Sequence, residues 1–183
     1  MTWNLPIAVE IDGKKYAITN KCDYRVVLDA ISALKDEDLD PNLRVICALE
    51  IFYEDLNGCK NIQKATDEMM TIINVGNKDT SKDENKPALM DWEKDINLLA
   101  PPISRVLGYS VRSADNYTHY YDFIGAYMEI GECTFASVVS IRNKRAKGKP
   151  LEPWEREFFA ENKDLVLLPQ RLSEEDEAWL DMW

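Results

Sequence analysis

The segment DYRVVLDAISAL, residues 23–34, has the apolar spacing of an α-helix. Its large apolar residues recur at intervals of three and four positions, which places them in one stripe along a helix. They are Tyr24, Val27, Leu28, Ile31 and Leu34. Asp23 stands immediately before the stripe, where its carboxylate can accept from the free N–H groups of a first turn. The segment therefore predicts a capped helix with one buried face.

Two more helices are predicted after this one. The next begins at Asp40-Pro41, because aspartate is a good cap and proline loses no hydrogen bond in the first turn. Its predicted core residues are Leu43, Ile46, Leu49 and Phe52 or Tyr53. A third helix follows the breaker Asn57-Gly58. Its predicted core residues are Ile62, Ala65, Met69, Ile72 and Ile73.

The second half of the chain continues the helical pattern. A stripe from Leu89 to Val106 crosses Pro101-Pro102, so we expect a kink or a restart there, with a bend near Ala100. Ser113 is expected to cap a helix. That helix would carry Tyr117, Tyr120, Tyr121, Ile124 and Met128. Two further helices are predicted, one from about Thr134 and one from Pro153.

Upstream of the first helix, two β-type runs flank Asp12-Gly13. The runs are Leu5–Ile11 and Lys14–Ile18, and this dipeptide favours a tight hairpin turn because both positions tolerate positive φ. Two strands alone are marginally stable, so the hairpin is expected to lie on helices. The predicted fold class is mainly α, a helical domain of about seven or eight helices with a small N-terminal β-hairpin.

The sequence GNKDTSKDENKP, residues 76–87, has no large apolar side chain and cannot offset the entropy of being ordered in a core. We therefore predict four parts. Residues 1–75 form a lobe of the hairpin and three helices, 76–87 a polar linker, 88–168 a C-terminal helical lobe, and 169–183 an acidic amphipathic tail helix.

The charge of the chain restricts its partners. The 33 acidic and 22 basic residues give a net charge of -11, which disfavours direct binding to nucleic acids or anionic membranes. A basic partner, or one met through an apolar surface, fits better. No leader or membrane-spanning stretch is recognisable, so a cytoplasmic location is expected. The four cysteines form no CxxC pair and are expected to be reduced core thiols without zinc.

No residue pattern indicates a catalytic or cofactor site. Any histidine-based mechanism must use His119, with Asp115 or Cys133 as a partner, and a structural imidazole at the edge of an aromatic core is the favoured interpretation. The glycines include no GxGxxG and no GxxxxGK[ST] motif, so no nucleotide cofactor is predicted.

Two charged clusters also have ordinary structural interpretations. Asp91, Glu93 and Asp95 could form an acid pair or a hard-metal site, but residues two apart on a helix point in different directions, so capping or a solvated face is favoured. The basic run extends from Arg142 to Lys149. It contains Arg142, Lys144, Arg145, Lys147 and Lys149. This run is expected to be a solvated helix C-terminus, with contact to an acidic partner or to a neighbouring copy as the alternative.

The C-terminal segment RLSEEDEAWLDMW places two tryptophans within five residues of the end. Large aromatic side chains are costly to leave in water, so this segment either folds onto the core or docks on a partner, as a helix in a groove. The predicted partner-binding residues share one helix face. They are Leu172, Trp179, Leu180 and Trp183.

Several motifs resemble a family of tailed-phage and prophage proteins. They are LP at 5–6, VEIDGK at 9–14, ALEIFY at 48–53, DWEKD at 91–95 and HYYDF at 119–123. This family comprises tail assembly chaperones encoded between the major tail protein and the tape measure protein. The resemblance spans residues 5–168, but Tyr120 and Tyr121 replace the usual tryptophans and Asp122 replaces a lysine.

The resemblance implies a non-enzymatic protein in the cytoplasm of the bacterial host. It would hold the tape measure protein soluble during tail tube assembly, with the tail tube protein as a second partner and self-association as a further option. His119, Tyr120, Tyr121 and Phe123 would then maintain the fold. The alternative, based on net charge, is an acidic DNA-mimic or inhibitor that binds a basic host protein. Such a mimic should space its carboxylates as phosphates are spaced.

Overall fold

The computed structural model describes residues 4–76 and 88–168. Within them the chain is mainly α-helical, as predicted. A two-stranded antiparallel hairpin, β1 (Ala8–Ile11) and β2 (Lys14–Ala17), is followed by eight helices. The helices are α1 (Tyr24–Lys35), α2 (Pro41–Phe52), α3 (Ile62–Ile73), α4 (Trp92–Leu107), α5 (Tyr120–Met128), α6 (Thr134–Ala146), α7 (Pro153–Glu161) and α8 (Lys163–Val166).

The hairpin turns at the predicted dipeptide. Asp12 and Gly13 both have positive φ, at 50° and 81°, and Ile11 pairs with Lys14 across the turn. Val9, Ile11 and Tyr16 are buried, and β1 packs against α3. The expectation that the hairpin rests on helices is therefore confirmed.

The predicted starts of α1 and α2 are also confirmed. The side chain of Asp23 accepts from the Arg25 N–H, and that of Asp40 accepts from the Asn42 N–H at 2.9 Å. The predicted core face of α2 is partly wrong. Leu49 and Phe52 are buried, as is Tyr53, but Leu43 and Ile46 are exposed, because the face that packs against α1 contains Ala48, Leu49 and Phe52.

The predicted Ser113 cap is wrong, because α5 begins only at Tyr120. The backbone before it bonds to α1 instead of forming a helical turn. The Arg25 guanidinium donates to the carbonyls of Val111, Ser113 and Asn116. The Tyr24 N–H donates to the Thr118 carbonyl at 3.0 Å. These bonds hold residues 111–118, which contain two turns, against the first turn of α1.

Helix α4 runs through Pro101 and Pro102 without a restart. Neither proline has an N–H to donate to a carbonyl in the preceding turn. The expected bend near Ala100 stays a prediction. No helix among the described residues is both long and apolar enough to cross a membrane.

The chain divides into two compact units, and the division falls inside α4 between Leu99 and Ala100. The first unit comprises Met1–Asp83 and Ala100–Ile130, and the second comprises Glu84–Leu99 and Gly131–Trp183. The sequence grouped residues 100–130 with the later helices, whereas here α5 packs on α1, with the Tyr24 and Phe123 rings stacked 4.2 Å apart. Most of the proposed linker and all of the proposed tail helix lie outside the described residues.

Each unit has its own hydrophobic core. In the first unit, fully buried side chains include Val27, Phe52, Met69 and Phe123. In the second unit, Val138, Ile141 and Val166 form a buried cluster. Leu98, Leu151, Phe158 and Phe159 pack against this cluster.

Candidate partner-binding surface

His119 is the side-chain cap of α5 and is almost completely buried. Its Nδ1 accepts from the Tyr121 N–H at 3.1 Å, and Nε2 lies 2.9 Å from the Pro6 carbonyl oxygen. Because Nδ1 accepts, the ring proton is on Nε2 and is donated to Pro6. Both nitrogens therefore have structural partners, and neither Asp115 nor Cys133 is among them. The geometry agrees with the structural interpretation of this residue.

The acidic cluster at the start of α4 divides into two roles. Asp91 is a cap, because its Oδ1 accepts from the Glu93 and Lys94 N–H groups. Asp95 is buried and accepts two hydrogen bonds from the Arg142 guanidinium, at 2.6 and 2.9 Å. The solvated-face interpretation is therefore wrong for Asp95. Among the described residues, no group of three or more His, Cys, Asp or Glu side chains could hold a metal ion.

The basic run is only partly a solvated helix end. Arg142 is buried, and beyond Asp95 it donates to the carbonyls of Val166, Leu165 and Leu89. Lys144 donates to Glu155 at 2.7 Å, and this hydrogen bond holds the pKa of Glu155 below its ordinary value.

Beyond these buried contacts, the Arg145 guanidinium lies over the Phe159 ring at 4.0 Å. Lys147 and Lys149 are exposed at the end of the run. The predicted solvated end therefore holds for those two lysines, whereas the first three basic residues make contacts within the second unit.

The cysteines are all free, as expected, but only Cys22 is a core residue. Burial raises the pKa of its thiol to about 12, so it stays protonated at neutral pH. Cys47, Cys59 and Cys133 are partly exposed, which corrects the expectation of four core thiols.

The predicted partner-binding residues of the tail, Leu172, Trp179, Leu180 and Trp183, lie outside the described residues. Their role stays a prediction. A candidate surface within the described residues must therefore come from apolar side chains that the fold leaves exposed.

Helix α2 carries such a surface on the side opposite its core face. Leu43, Ile46, Cys47 and Glu50 are spaced at i, i+3, i+4 and i+7, so they share one stripe. The side chains of Leu43 and Ile46 retain 49% and 47% of their accessible area. We call Leu43, Ile46 and Cys47 the outer face of α2. Helix α2 therefore has two apolar faces, and the described residues leave the outer one about half exposed.

Acidic residues precede and follow the outer face along the chain. Residues 36–55 contain seven acidic residues and one basic residue, Arg44. All seven acidic residues are exposed, and they are Asp36, Glu37, Asp38, Asp40, Glu50, Glu54 and Asp55. The Arg44 guanidinium is held by the carbonyls of Leu39, at 2.8 Å, and Glu37. The surface is therefore an apolar strip with exposed acidic residues before, within and after it along the chain, and we call these seven acidic residues the acidic rim.

Sequence reasoning missed this surface because it assigned Leu43 and Ile46 to the core. A usable signal was present. Between Leu43 and Phe52 apolar residues occur on every side of the helix, and only Arg44 and Glu50 interrupt them. A helix that is apolar all round is either fully enclosed or has a second partner. In a small unit with acidic residues before and after this helix, a second partner is the better interpretation.

Comparison with known proteins identifies a phage family. A family model described as Bacteriophage Gp15 protein matches residues 1–128, which include the hairpin and α1–α5. No curated protein and no solved structure matches the chain. The phage origin implied by the sequence resemblance is thus confirmed at the level of a family. Because the match covers well over half of the 183 residues, the chain belongs to the bacteriophage Gp15 protein family.

Proposed function

We propose that this protein is a non-enzymatic tail assembly chaperone that binds the tape measure protein of its phage. It keeps that long helical client soluble in the cytoplasm of the bacterial host while tail tube subunits assemble. The tail tube protein is a second proposed partner, and self-association is a further option. The function needs no catalytic group, metal or cofactor.

The outer face of α2 is the observation that carries this proposal. Two large aliphatic side chains are half exposed on one stripe, Leu43 and Ile46, and burying them against a client would release water from apolar surface. Exposed apolar patches bordered by polar groups are typical of protein interaction sites. The net charge of -11 adds a second support, since it would keep a complex with a hydrophobic client dispersed.

Co-expression with the neighbouring tape measure protein tests the proposal. The client should be insoluble alone and soluble with this protein, and light scattering after size-exclusion chromatography should give the number of copies per client. A client that stays insoluble, with this protein eluting alone, would contradict the proposal.

The acidic rim favours a second candidate function, that of a DNA mimic or inhibitor that occupies a basic groove on a host protein. Its carboxylates would have to follow one extended face at phosphate-like spacing. The apolar pair Leu43 and Ile46 lies between the acids, where a DNA duplex has no counterpart. Capture of a DNA-binding host protein that DNA displaces would support this candidate over the chaperone.

A further inference from the structure

We infer that the outer face of α2 binds an amphipathic helix that carries lysine or arginine towards both ends of its apolar stripe. This inference rests on the proposed function and specifies the kind of client segment that the chaperone recognises. It concerns the outer face and the acidic rim alone.

The apolar strip sets the shape of the partner. Leu43, Ile46 and Cys47 lie within about one helical turn, so the strip is narrow and follows the axis of α2. A second helix packed along it would present its own apolar residues at intervals of three and four positions. Helix recognition through such spaced anchors is a common mode of peptide binding.

The acidic rim sets the charge of the partner. Asp36, Asp38 and Asp40 lie before the strip, and Glu50, Glu54 and Asp55 lie along or after it. Basic side chains towards both ends of an incoming helix packed along α2 would meet these carboxylates. Complementary charge of this kind speeds encounter and excludes partners of the wrong sign.

Charge also excludes two other occupants. A second copy placed face to face would bring one acidic rim against another, which is repulsive. The C-terminal segment is acidic as well, with Glu174, Glu175, Asp176, Glu177 and Asp181 among its last twelve residues. Its tryptophans would reach the outer face only by bringing these charges to the rim. A basic helix is the occupant that both the strip and the rim favour.

Synthetic peptides test the inference on the full-length protein. The probe is a peptide of about 18 residues, long enough to form a helix on binding, with leucines at helical spacing and lysines towards both ends. A second peptide replaces the lysines with glutamates, and a third scrambles the lysine peptide. We expect binding of the first peptide alone. Equal binding of the scrambled peptide would overturn the inference, because simple charge attraction would then explain the affinity.

Substitutions locate the binding. Leu43→Ser with Ile46→Ser should weaken binding of the lysine peptide about tenfold or more, given the apolar area that these side chains lose. A matched control replaces two exposed apolar residues on other helices of the same unit, Val106→Ser with Met128→Ser, and should leave the affinity unchanged. Equal weakening by both pairs would overturn the inference.

The acidic rim is tested by a separate pair, so that the result does not depend on how the serine variants fold. Asp38→Lys with Glu50→Lys changes two exposed residues and should weaken the lysine peptide. The same pair should make the glutamate peptide bind more tightly. The dependence of affinity on salt should become shallower, since fewer opposite charges meet. Unchanged affinities for both peptides would count against the inference.

Cys47 supplies a labelling test within the wild-type chain. It is partly exposed on the outer face, whereas Cys59 and Cys133 lie on other segments and serve as internal controls. A bound lysine peptide should slow alkylation of Cys47 several-fold and leave the controls unchanged. An unchanged Cys47 rate at saturating peptide would overturn the inference.

The tape measure protein distinguishes this inference from the proposed function. If the wild-type chain holds that protein in solution and the Leu43 and Ile46 serine pair holds it equally well, the chaperone function stands and the inference fails. If the wild-type chain does not hold it but binds the lysine peptide through α2, the function fails and the surface assignment stands.

Discussion

At the scale of single residues, the first unit contains an unusual left-handed segment. Asn20, Lys21 and Cys22 have φ values of 48°, 56° and 65°, and none of them is glycine. A left-handed conformation costs roughly 1–2 kcal/mol for a residue with a Cβ. The segment is held at its C-terminal end, where the Tyr120 N–H donates to the Cys22 carbonyl at 2.9 Å. Contacts made by later residues therefore support a strained turn before α1.

Replacement of Lys21 by glycine should relieve part of this strain. Lys21→Gly is expected to raise the free energy of unfolding by about 1 kcal/mol, less any entropy that glycine adds to the unfolded chain. Urea denaturation monitored by circular dichroism measures the change. The control is Asn20→Gly. This change should raise the free energy of unfolding by less, because asparagine tolerates the left-handed conformation better than lysine does. A destabilised Lys21→Gly protein would contradict the strain argument.

At the scale of elements, a buried ion pair joins α4 to α6. Arg142 bonds to both carboxylate oxygens of Asp95, and two further bonds reach the carbonyls of Leu165 and Val166, so α8 is held as well. The sequence predicted α4 and α6 as separate helices but could not predict this pairing. Asp95 and Arg142 are 47 positions apart, and each looked like an ordinary surface charge.

Removal of one residue of this ion pair should lower the stability of the second unit. Arg142→Ala is expected to lower the free energy of unfolding of the second unit by about 3–5 kcal/mol, because Asp95 is left as an unpaired buried charge. Lys149→Ala is the matched control at the exposed end of the same basic run and should change stability by less than about 0.5 kcal/mol. A small loss in Arg142→Ala would show that water enters to solvate Asp95.

The contact between Lys144 of α6 and Glu155 of α7 predicts that the stability of the protein depends on pH. Hydrogen bonds from Lys144 and from the Glu152 N–H lower the pKa of Glu155 in the folded protein. Glu155 therefore stabilises the fold fully when the pH is above the pKa that it has in the unfolded chain. This stabilisation is lost as the pH falls through the lower pKa that Glu155 has in the folded protein. Unfolding measured from pH 7 to about pH 3 should show this loss.

A glutamine variant isolates the contribution of Glu155. Glu155→Gln should be less stable than wild type at pH 7 and should lose less stability on acidification. Glu157→Gln, an exposed change on the same helix, should follow the wild-type profile. Identical acid profiles for Glu155→Gln and wild type would contradict the assignment.

At the scale of the whole molecule, periodicity predicted most elements but not how they group. The caps at Asp23 and Asp40 and the turn at Asp12-Gly13 are local features, so they could be found in the sequence. The late start of α5 depends on bonds from α1 to residues 111–118, which no local pattern shows. The exposed side of α2 is likewise set by its packing on α1, although the apolar residues on every side of this helix were a local sign of a second contact surface.

The C-terminal segment gives a prediction at this scale. Deletion of residues 172–183 should weaken client binding or change the oligomer size, while circular dichroism shows nearly the same helix content. Serine at Leu172, Trp179, Leu180 and Trp183 should reproduce the effect, whereas Glu174→Gln with Glu175→Gln should reproduce it less, because the apolar side chains supply the contact. A truncated protein that unfolds would show instead that the segment belongs to the core.

The hydrogen bond between His119 and the Pro6 carbonyl has a consequence for synthesis on the ribosome. The two residues are 113 positions apart. At typical elongation rates, about 6–23 s separate the translation of Pro6 from that of His119. Throughout that interval the nascent hairpin and α1 lack the residues that complete their core. The core of the first unit is therefore completed late in translation. A chain on a ribosome stalled before α5 would expose apolar surface and be prone to aggregation.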